Sequence, residues 1–262
     1  MSRPRTYRLD AIVLRRSDFG EADRLLTLYT AERGKLKAIA KGARKPQSRK
    51  TGHVELFMRT HFMLASGRDL DIVTQAELIA SYEGLRRDLI RTTYAAYYVE
   101  LLDQFTVEED PQPNLYELIR DALGWLETAP DVRLPTRHYE LRLLSLTGYQ
   151  PQLFYCVNCG HPIKEEDQFF NAERGGFVCA QCGHPDRHTI PVTAATVKLL
   201  RFLQTRPWST IAPLTLKNNL HRQLETTMHH YLTHTLERNL KSIAFINRLR
   251  HEATLFTPPP QS

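Results

Sequence analysis

Apolar and polar residues alternate along much of the first eighty positions, which is the period of a β-strand that buries one face. Gly34 stands between two such runs and suits a hairpin turn. In the run that follows it, Leu36, Ala38 and Ala40 share one face, and the lysines occupy the other. Alternation over these stretches predicts five strands, at about residues 7–14, 23–30, 35–41, 54–64 and 70–77.

Five short strands in about 75 residues predict a small barrel or sandwich. We favour a five-stranded OB-fold barrel. An SH3-like barrel fits the same alternation, and periodicity alone does not separate the two.

The pattern changes to helical spacing after Ser81. A capping box is expected at Asn114 and Glu117, and Gly148 is placed to end a helix. Helices are predicted over residues 85–105, from 114, over 136–147 and 193–204, and over 216–250 with a break near its middle.

The predicted fold class is therefore α+β with more than one domain. An OB-fold domain spans residues 1–81, and an all-α domain spans residues 82–262. A cysteine-containing insertion, at about residues 152–186, interrupts the helices.

The chain's cysteines form two pairs with the spacing C-x2-C-x19-C-x2-C: Cys156, Cys159, Cys179 and Cys182. This spacing is typical of a zinc ribbon or knuckle in which four thiolates hold one structural ion. Four protein ligands leave no open position for a catalytic water. A site that has lost its metal and a redox dithiol are the alternatives, and His161 or His184 could replace a cysteine.

Positive charge is concentrated at the start of the chain. Residues 1–81 hold 16 Lys and Arg against 9 Asp and Glu, while residues 82–262 hold 19 against 20. Such asymmetry favours a polyanionic partner, most often nucleic acid. Residues 35–50, KLKAIAKGARKPQSRK, contain seven basic residues and no acidic one.

If Leu36, Ala38 and Ala40 point into the barrel, Lys35, Lys37 and Lys41 point outward together. The expected DNA-binding residues are Arg15, Arg16, Arg24, Lys35, Lys37, Lys41, Arg44, Lys45, Arg49 and Lys50. Binding through seven phosphate contacts would give a log–log salt slope of about −6 on duplex and about −5 on single strands.

Aromatic residues of the barrel could stack on bases, but each fits the core better. The candidates are Phe19, Tyr29, Phe57 and Phe62.

Several motifs together resemble the RecO family of bacterial DNA recombination and repair proteins. They are YRLDAIVLRRSDFGEADRLLTLYT, GKLKAIAKGARKPQSR, YELRLLSLTGYQP followed by CVNCG, GGFVCAQC, and YLTHTLERNLKSIAFI, in this order along nearly the whole chain. Family members join an N-terminal OB-fold to a helical domain with a zinc motif. Some lack the cysteines, whereas this chain has all four.

The resemblance implies a non-enzymatic mediator of recombinational repair. Such proteins bind single- and double-stranded DNA, anneal complementary strands, and with RecR help RecA replace single-strand-binding protein. A cytoplasmic, nucleoid-associated location follows. A basic and apolar groove in the helical domain could take the acidic tail of single-strand-binding protein, with no residue assigned to it.

Two other classes remain open. One is a metal-dependent nuclease or strand-processing enzyme, for which Asp69 with Asp71, or His229, His230 and His234, could supply ligands. Asp69 and Asp71 are more simply solvated residues of a strand, and the histidines an ordinary helix surface. The other is an adaptor whose zinc and helices serve protein contacts only.

Overall fold

The N-terminal strands close into a barrel in the order β1-β2-β3-β5-β4. The computed structural model describes residues 5–48, 50–237 and 240–255, with side chains up to Leu249. All strand pairs are antiparallel except β3 with β5. This arrangement is the Greek-key barrel of an OB-fold, so the predicted fold class is confirmed. The strands are β1 Thr6–Phe19, β2 Asp23–Thr30, β3 Gly34–Ala40, β4 Arg59–Ala65 and β5 Asp71–Ala80.

The predicted inward faces of β1 and β3 form the barrel core. Phe62 and Leu64 of β4 join them, as expected. Strand β5 departs from simple alternation, because its register shifts opposite Met63 and Leu64. This bulge leaves both Val73 and Ala76 against the core, although they are three residues apart. The buried cluster includes Leu9, Ala11, Val13, Leu26, Leu28, Leu36, Ala38, Ala40, Phe62, Leu64 and Val73.

Helices begin directly after β5. The predicted helix over residues 85–105 is divided in two, since the Asp88 carboxylate accepts hydrogen bonds from the backbone N–H groups of Ile90 and Arg91 and caps the longer part. The described helices are α1 Glu83–Arg86, α2 Leu89–Phe105, α3 Pro113–Thr128, α4 Arg133–Leu146, α5 Ala194–Thr205, α6 Trp208–Ile211, α7 Asn218–Leu236 and α8 Lys241–Leu255.

The expectation that a capping box starts a helix at Asn114 is wrong, because the helix begins before this residue. Helix α3 begins at Pro113, which has no N–H and suits the first turn, so Asn114 lies inside the helix. The expected helix end at Gly148 is correct. Gly148 has φ of +84°, the Tyr149 N–H donates to the Leu144 carbonyl at 2.8 Å, and the Gly148 N–H donates to Ser145.

A second, small sheet contains β6 Gln168–Asn171, β7 Gly176–Val178 and β8 Thr189–Val192, in the order β7-β6-β8. The ribbon of β6 and β7 fits the zinc ribbon or knuckle that the cysteine spacing predicts, whereas no pattern in the sequence predicts β8. Its four residues, TIPV, include a proline and show too little alternation to be recognised.

Contacts divide the chain into two compact units. One contains the chain up to Thr128 and the chain from Ala244, and the other is Ala129–Ile243. Helices α1–α3 therefore belong to the same unit as the barrel. The predicted domain boundary after residue 81 marks where strands give way to helices, and as a domain boundary it stays a prediction. No helix within the described residues has the length and apolarity needed to cross a membrane.

Candidate nucleic-acid interface and metal centre

The outer surface of strands β1–β3 carries basic residues in adjacent rows. Strand pairing places Arg15 beside Thr27 and Thr27 beside Lys37. Leu26 and Ala38, which are next in sequence to Thr27 and Lys37, point into the core. Because side chains alternate along a strand, the row of Arg15, Thr27 and Lys37 points outward. Arg15 and Lys37 are both exposed. We call this surface the outer face of β1–β3.

The same face continues to the end of the β1–β2 hairpin. Ser17 pairs with Leu25, and Leu25 pairs with Ile39. Phe19 pairs with Asp23 in the last row of the hairpin. Lys41 follows β3 directly and is exposed.

The basic loop after β3 is attached to this hairpin end. The Gly42 N–H donates to Asp23 Oδ1 at 2.7 Å, and the Arg44 N–H donates to the Ala22 carbonyl at 2.9 Å. The Arg44 guanidinium lies 3.4 Å from an Asp18 oxygen. Lys45 is exposed. The exposed cations of the loop therefore lie next to the outer face of β1–β3.

The expectation that Lys35 is exposed beside Lys37 is wrong. Lys35 is only 8% exposed, and its Nζ donates to the Asp103 carbonyl, Asp103 Oδ1 and the Thr106 carbonyl at 2.7, 2.9 and 2.7 Å. The side chain does lie on the outer side of β3, but the end of α2 covers it. Its charge is directed at protein oxygens and is not available to a phosphate.

Three other predicted residues are also engaged. Arg16 and Arg24 both bind Glu55 Oε1, at 2.7 and 2.6 Å. Arg16 is opposite core-facing Leu26 on β2, and Arg24 is opposite core-facing Ala40 on β3, so these two side chains do not belong to the outer face. Lys50 Nζ donates to the Val73 carbonyl at 2.8 Å. Arg49 lies outside the described residues.

Phe19 differs from the other aromatic candidates. Tyr29, Phe57 and Phe62 are buried, as expected of barrel aromatics, whereas Phe19 is 44% exposed. The sequence did not distinguish it, because its strand position resembles theirs. An exposed ring beside cations is the combination that binds unpaired bases by stacking and their phosphates by charge.

The four cysteines converge in the second unit. Their sulfur atoms all lie within 4.8 Å of one another, and the Cys159 and Cys179 sulfurs are 3.8 Å apart. Tetrahedral coordination with metal–sulfur bonds of about 2.3 Å requires sulfurs about 3.8 Å apart. The set therefore fits a metal ion. All four cysteines are free thiols, and neither His161 nor His184 belongs to a metal-capable group among the described residues.

Each cysteine pair lies on a tight turn. The Gly160 N–H donates to the Cys156 carbonyl and the Gly183 N–H to the Cys179 carbonyl, both at 2.9 Å. Gly160 has φ of +74°, as expected for a residue that turns the chain around a metal. Gly183 has a different reason, since a Cβ there would lie 2.2 Å from the Phe169 ring.

Backbone groups favour a thiolate at Cys156. Burial would raise the pKa of this thiol, but the N–H groups of Cys179, Cys159 and Asn158 point at the sulfur and lower the pKa to about 6. A thiolate is the form that binds metal.

Three of the residues considered for a second metal site, Asp71, His230 and His234, have other partners. Asp71 is buried, contrary to the expectation of a solvated strand residue, and accepts hydrogen bonds from the Tyr7 hydroxyl and the Gly67 N–H. Asp69 is exposed, as expected. His230 Nε2 lies 2.8 Å from the His188 carbonyl, and the His188 and His234 rings are in contact.

Comparison with known proteins agrees with this architecture. Residues 1–82 match the family model described as recombination protein O N terminal, and residues 86–244 match recombination protein O C terminal. The chain belongs to the RecO family. The resemblance noted in the sequence is thereby confirmed.

Curated relatives match over nearly their whole length and are named DNA repair protein RecO. The chain is 40% identical to that of Roseiflexus sp. (strain RS-1), covering 98% of this chain and 90% of the relative. It is 37% identical to that of Desulforamulus reducens, covering 93% and 94%. It is 34% identical to that of Bacillus pumilus, covering 92% and 93%.

Proposed function

We propose that this RecO-family protein is a non-enzymatic recombination mediator that binds single- and double-stranded DNA and anneals complementary strands. The observation that carries the proposal is the outer face of β1–β3, with exposed Arg15 and Lys37 in one row and exposed Lys41 just beyond the end of β3. Strands 2 and 3 of OB-folds are a recurrent oligonucleotide surface. Charge on such a surface reduces the repulsion between two strands, which favours annealing.

The loop cations and Phe19 extend this proposed surface. Arg44 and Lys45 add charge at the hairpin end, and Phe19 offers a ring on which an unpaired base can stack. Because these groups recognise phosphates and base faces, we expect weak sequence preference.

We further propose that the four cysteines hold one structural Zn(II). Four thiolates at this spacing suit zinc, and a closed four-ligand site stabilises the fold without supplying a reactive water. The ion would connect the two cysteine turns on either side of the β6–β7 ribbon. Cys156, Cys159, Cys179 and Cys182 are its ligands in this proposal.

The family resemblance supplies the proposed partners. Acting in the cytoplasm at the nucleoid, the protein would work with RecR to help RecA replace single-strand-binding protein on DNA. The contact surfaces for these proteins are not assigned to residues.

The test combines binding, annealing and strand integrity. Purified protein is mixed with labelled complementary oligonucleotides in the presence of Mg²⁺ or Mn²⁺. We expect binding, accelerated annealing and strands of unchanged length. Reversing two exposed charges, Lys41→Glu with Lys45→Glu, is expected to weaken binding about tenfold or more and to slow annealing.

A matched control reverses two lysines of the second unit, Lys164→Glu with Lys198→Glu, so the net charge changes equally. If both double variants bind equally well, the proposed surface is wrong. Shortened strands would instead support the nuclease. Full activity in the Lys41 and Lys45 variant would support the adaptor.

A further inference from the structure

The last residues of helix α2 and the segment that follows it lie against strand β3. This stretch runs from Asp103 to Asp110 and contains four acidic residues, Asp103, Glu108, Glu109 and Asp110. We call it the acidic strap. Lys35 forms a parallel bridge with Glu108, and the Glu109 N–H donates to the Lys35 carbonyl at 2.9 Å.

The strap occupies the part of β3 that β5 does not pair with. Strand β5 pairs with β3 only at Ala38 and Ile39, which leaves the edge at residues 34–37 for the strap. Gly34 fits this approach, because a Cβ there would lie 2.0 Å from the Asp110 carbonyl oxygen. Its φ of +62° also favours glycine. The lack of a side chain at Gly34 therefore allows the backbone of the strap to lie close to β3.

The strap neutralises cations of the outer face of β1–β3. Glu108 Oε1 lies 2.5 Å from Lys37 Nζ, and Asp103 Oδ2 lies 3.1 Å from Arg15 Nη2. These are two of the three exposed residues that form the proposed DNA surface. Its carboxylates stand where phosphates would otherwise contact the same side chains.

The contacts differ in how easily a phosphate could replace them. Lys35 anchors the strap from a buried position, with Asp103 also buried. The Lys37 and Glu108 side chains are 42% and 51% exposed, so this pair is solvated and weak. The anchor can therefore remain in place while Lys37 exchanges its carboxylate for a phosphate.

We propose that the acidic strap is an autoinhibitory contact that competes with nucleic acid for Lys37 and Arg15 and so lowers affinity on this side of the barrel. The inference rests on the proposed DNA-binding function. It implies that Lys37 contributes less to binding while Glu108 faces it than when that charge is removed.

The test is a double-mutant cycle on a fluorescein-labelled single-stranded oligonucleotide, followed by anisotropy over a range of salt concentrations. Glu108→Gln should bind about two- to five-fold more tightly than the wild type, with a salt slope steeper by roughly 0.7. Lys37→Ala should weaken binding in both backgrounds, but more strongly in the Glu108→Gln background, where it should cancel the gain. Both sites are exposed, so the fold should tolerate these changes.

Glu117→Gln is the matched control, because Glu117 is an exposed carboxylate on α3 of the same unit. An equal gain in this control would mean that only net charge matters, and the strap inference would be wrong. It would also be wrong if Glu108→Gln bound like the wild type, or if the Lys37→Ala effect were the same in both backgrounds. If no variant and no wild-type protein binds, the proposed function fails and the inference fails with it.

Discussion

The ammonium of Lys35 has three oxygen acceptors and almost no access to water. A buried lysine loses hydration, and only complete pairing offsets that loss. Here one carboxylate and two carbonyls provide it, so Lys35 joins strand β3 to the end of α2. Lys35 therefore belongs to the basic stretch in the sequence, but in the structure it stabilises the fold.

Replacing Lys35 should destabilise the protein, but it should not remove a charge that is exposed to DNA. Lys35→Met leaves Asp103 buried with Arg15 as its remaining ion-pair partner, and we expect a loss of about 3 kcal/mol. The measurement is the urea midpoint of unfolding, monitored with a probe that reports on the barrel, such as amide hydrogen exchange.

Lys37→Met is the control for this change. Its side chain is 42% exposed and pairs with an exposed glutamate, so it should cost at most about 1 kcal/mol. Equal midpoints for the Lys35 and Lys37 variants would show that burial of Lys35 does not contribute to stability.

At the scale of elements, the cysteine turns depend on strands too short to be stable alone. Strand β7 has three residues, and β6 and β8 have four each. Their buried aromatic pair, Phe170 and Phe177, is a small core. Such a segment gains order from a metal, because the four-ligand site exists only when the segment is folded and the free energy of metal binding therefore stabilises the fold.

Removing the proposed metal should loosen this sheet and leave the barrel intact. We expect about one zinc per chain, and strong chelation or Cys159→Ser should abolish amide protection in β6–β8 while β1–β5 stay protected. Metal analysis and hydrogen exchange measure the two effects.

Ala180→Ser is a suitable control, since Ala180 lies between two ligands and is exposed. It introduces the same hydroxyl but keeps all four thiols. Protein without bound metal that shows full protection in β6–β8 would contradict the structural role.

At the scale of the molecule, the number of available cations determines the salt dependence of DNA binding. Ten basic residues were expected to bind DNA, but Lys35 is buried, three others are engaged by groups of the barrel, and Arg49 lies outside the described residues. The other five are exposed: Arg15, Lys37, Lys41, Arg44 and Lys45. Of these, Arg15 and Lys37 face carboxylates of the acidic strap.

The salt slope should therefore be shallower than the sequence suggests. Because Arg15 and Lys37 also face the acidic strap, we expect a log–log slope between about −3 and −5 on duplex and between about −2 and −4 on single strands. Titration with monovalent salt measures it. A slope of about −6 or steeper on duplex would mean that further cations contact phosphates.

Local patterns predicted most of the fold. Alternation placed β2 and β3 almost to the residue, and a glycine correctly ended α4. The cysteine spacing predicted the cluster, since its ligands are close in sequence or joined by a ribbon.

Contacts between distant residues were not predictable. Lys35 and Asp103 are 68 positions apart, and alternation states which side of a strand a lysine occupies but not what covers that side. The consecutive acidic residues 108–110 of the acidic strap are visible in the sequence, but their pairing with β3 is not. The bulge in β5 likewise depends on its neighbour β4.

The path of the chain between the two compact units determines which unit is complete first during synthesis. The polypeptide leaves the first unit at Thr128 and re-enters it at Ala244. During translation, every residue of the cysteine-bearing unit emerges from the ribosome before the barrel's unit has its last helix. Domains commonly fold as they emerge. The later unit in sequence can thus be finished first, and a nascent chain arrested before Ala244 would carry a barrel unit that is still incomplete.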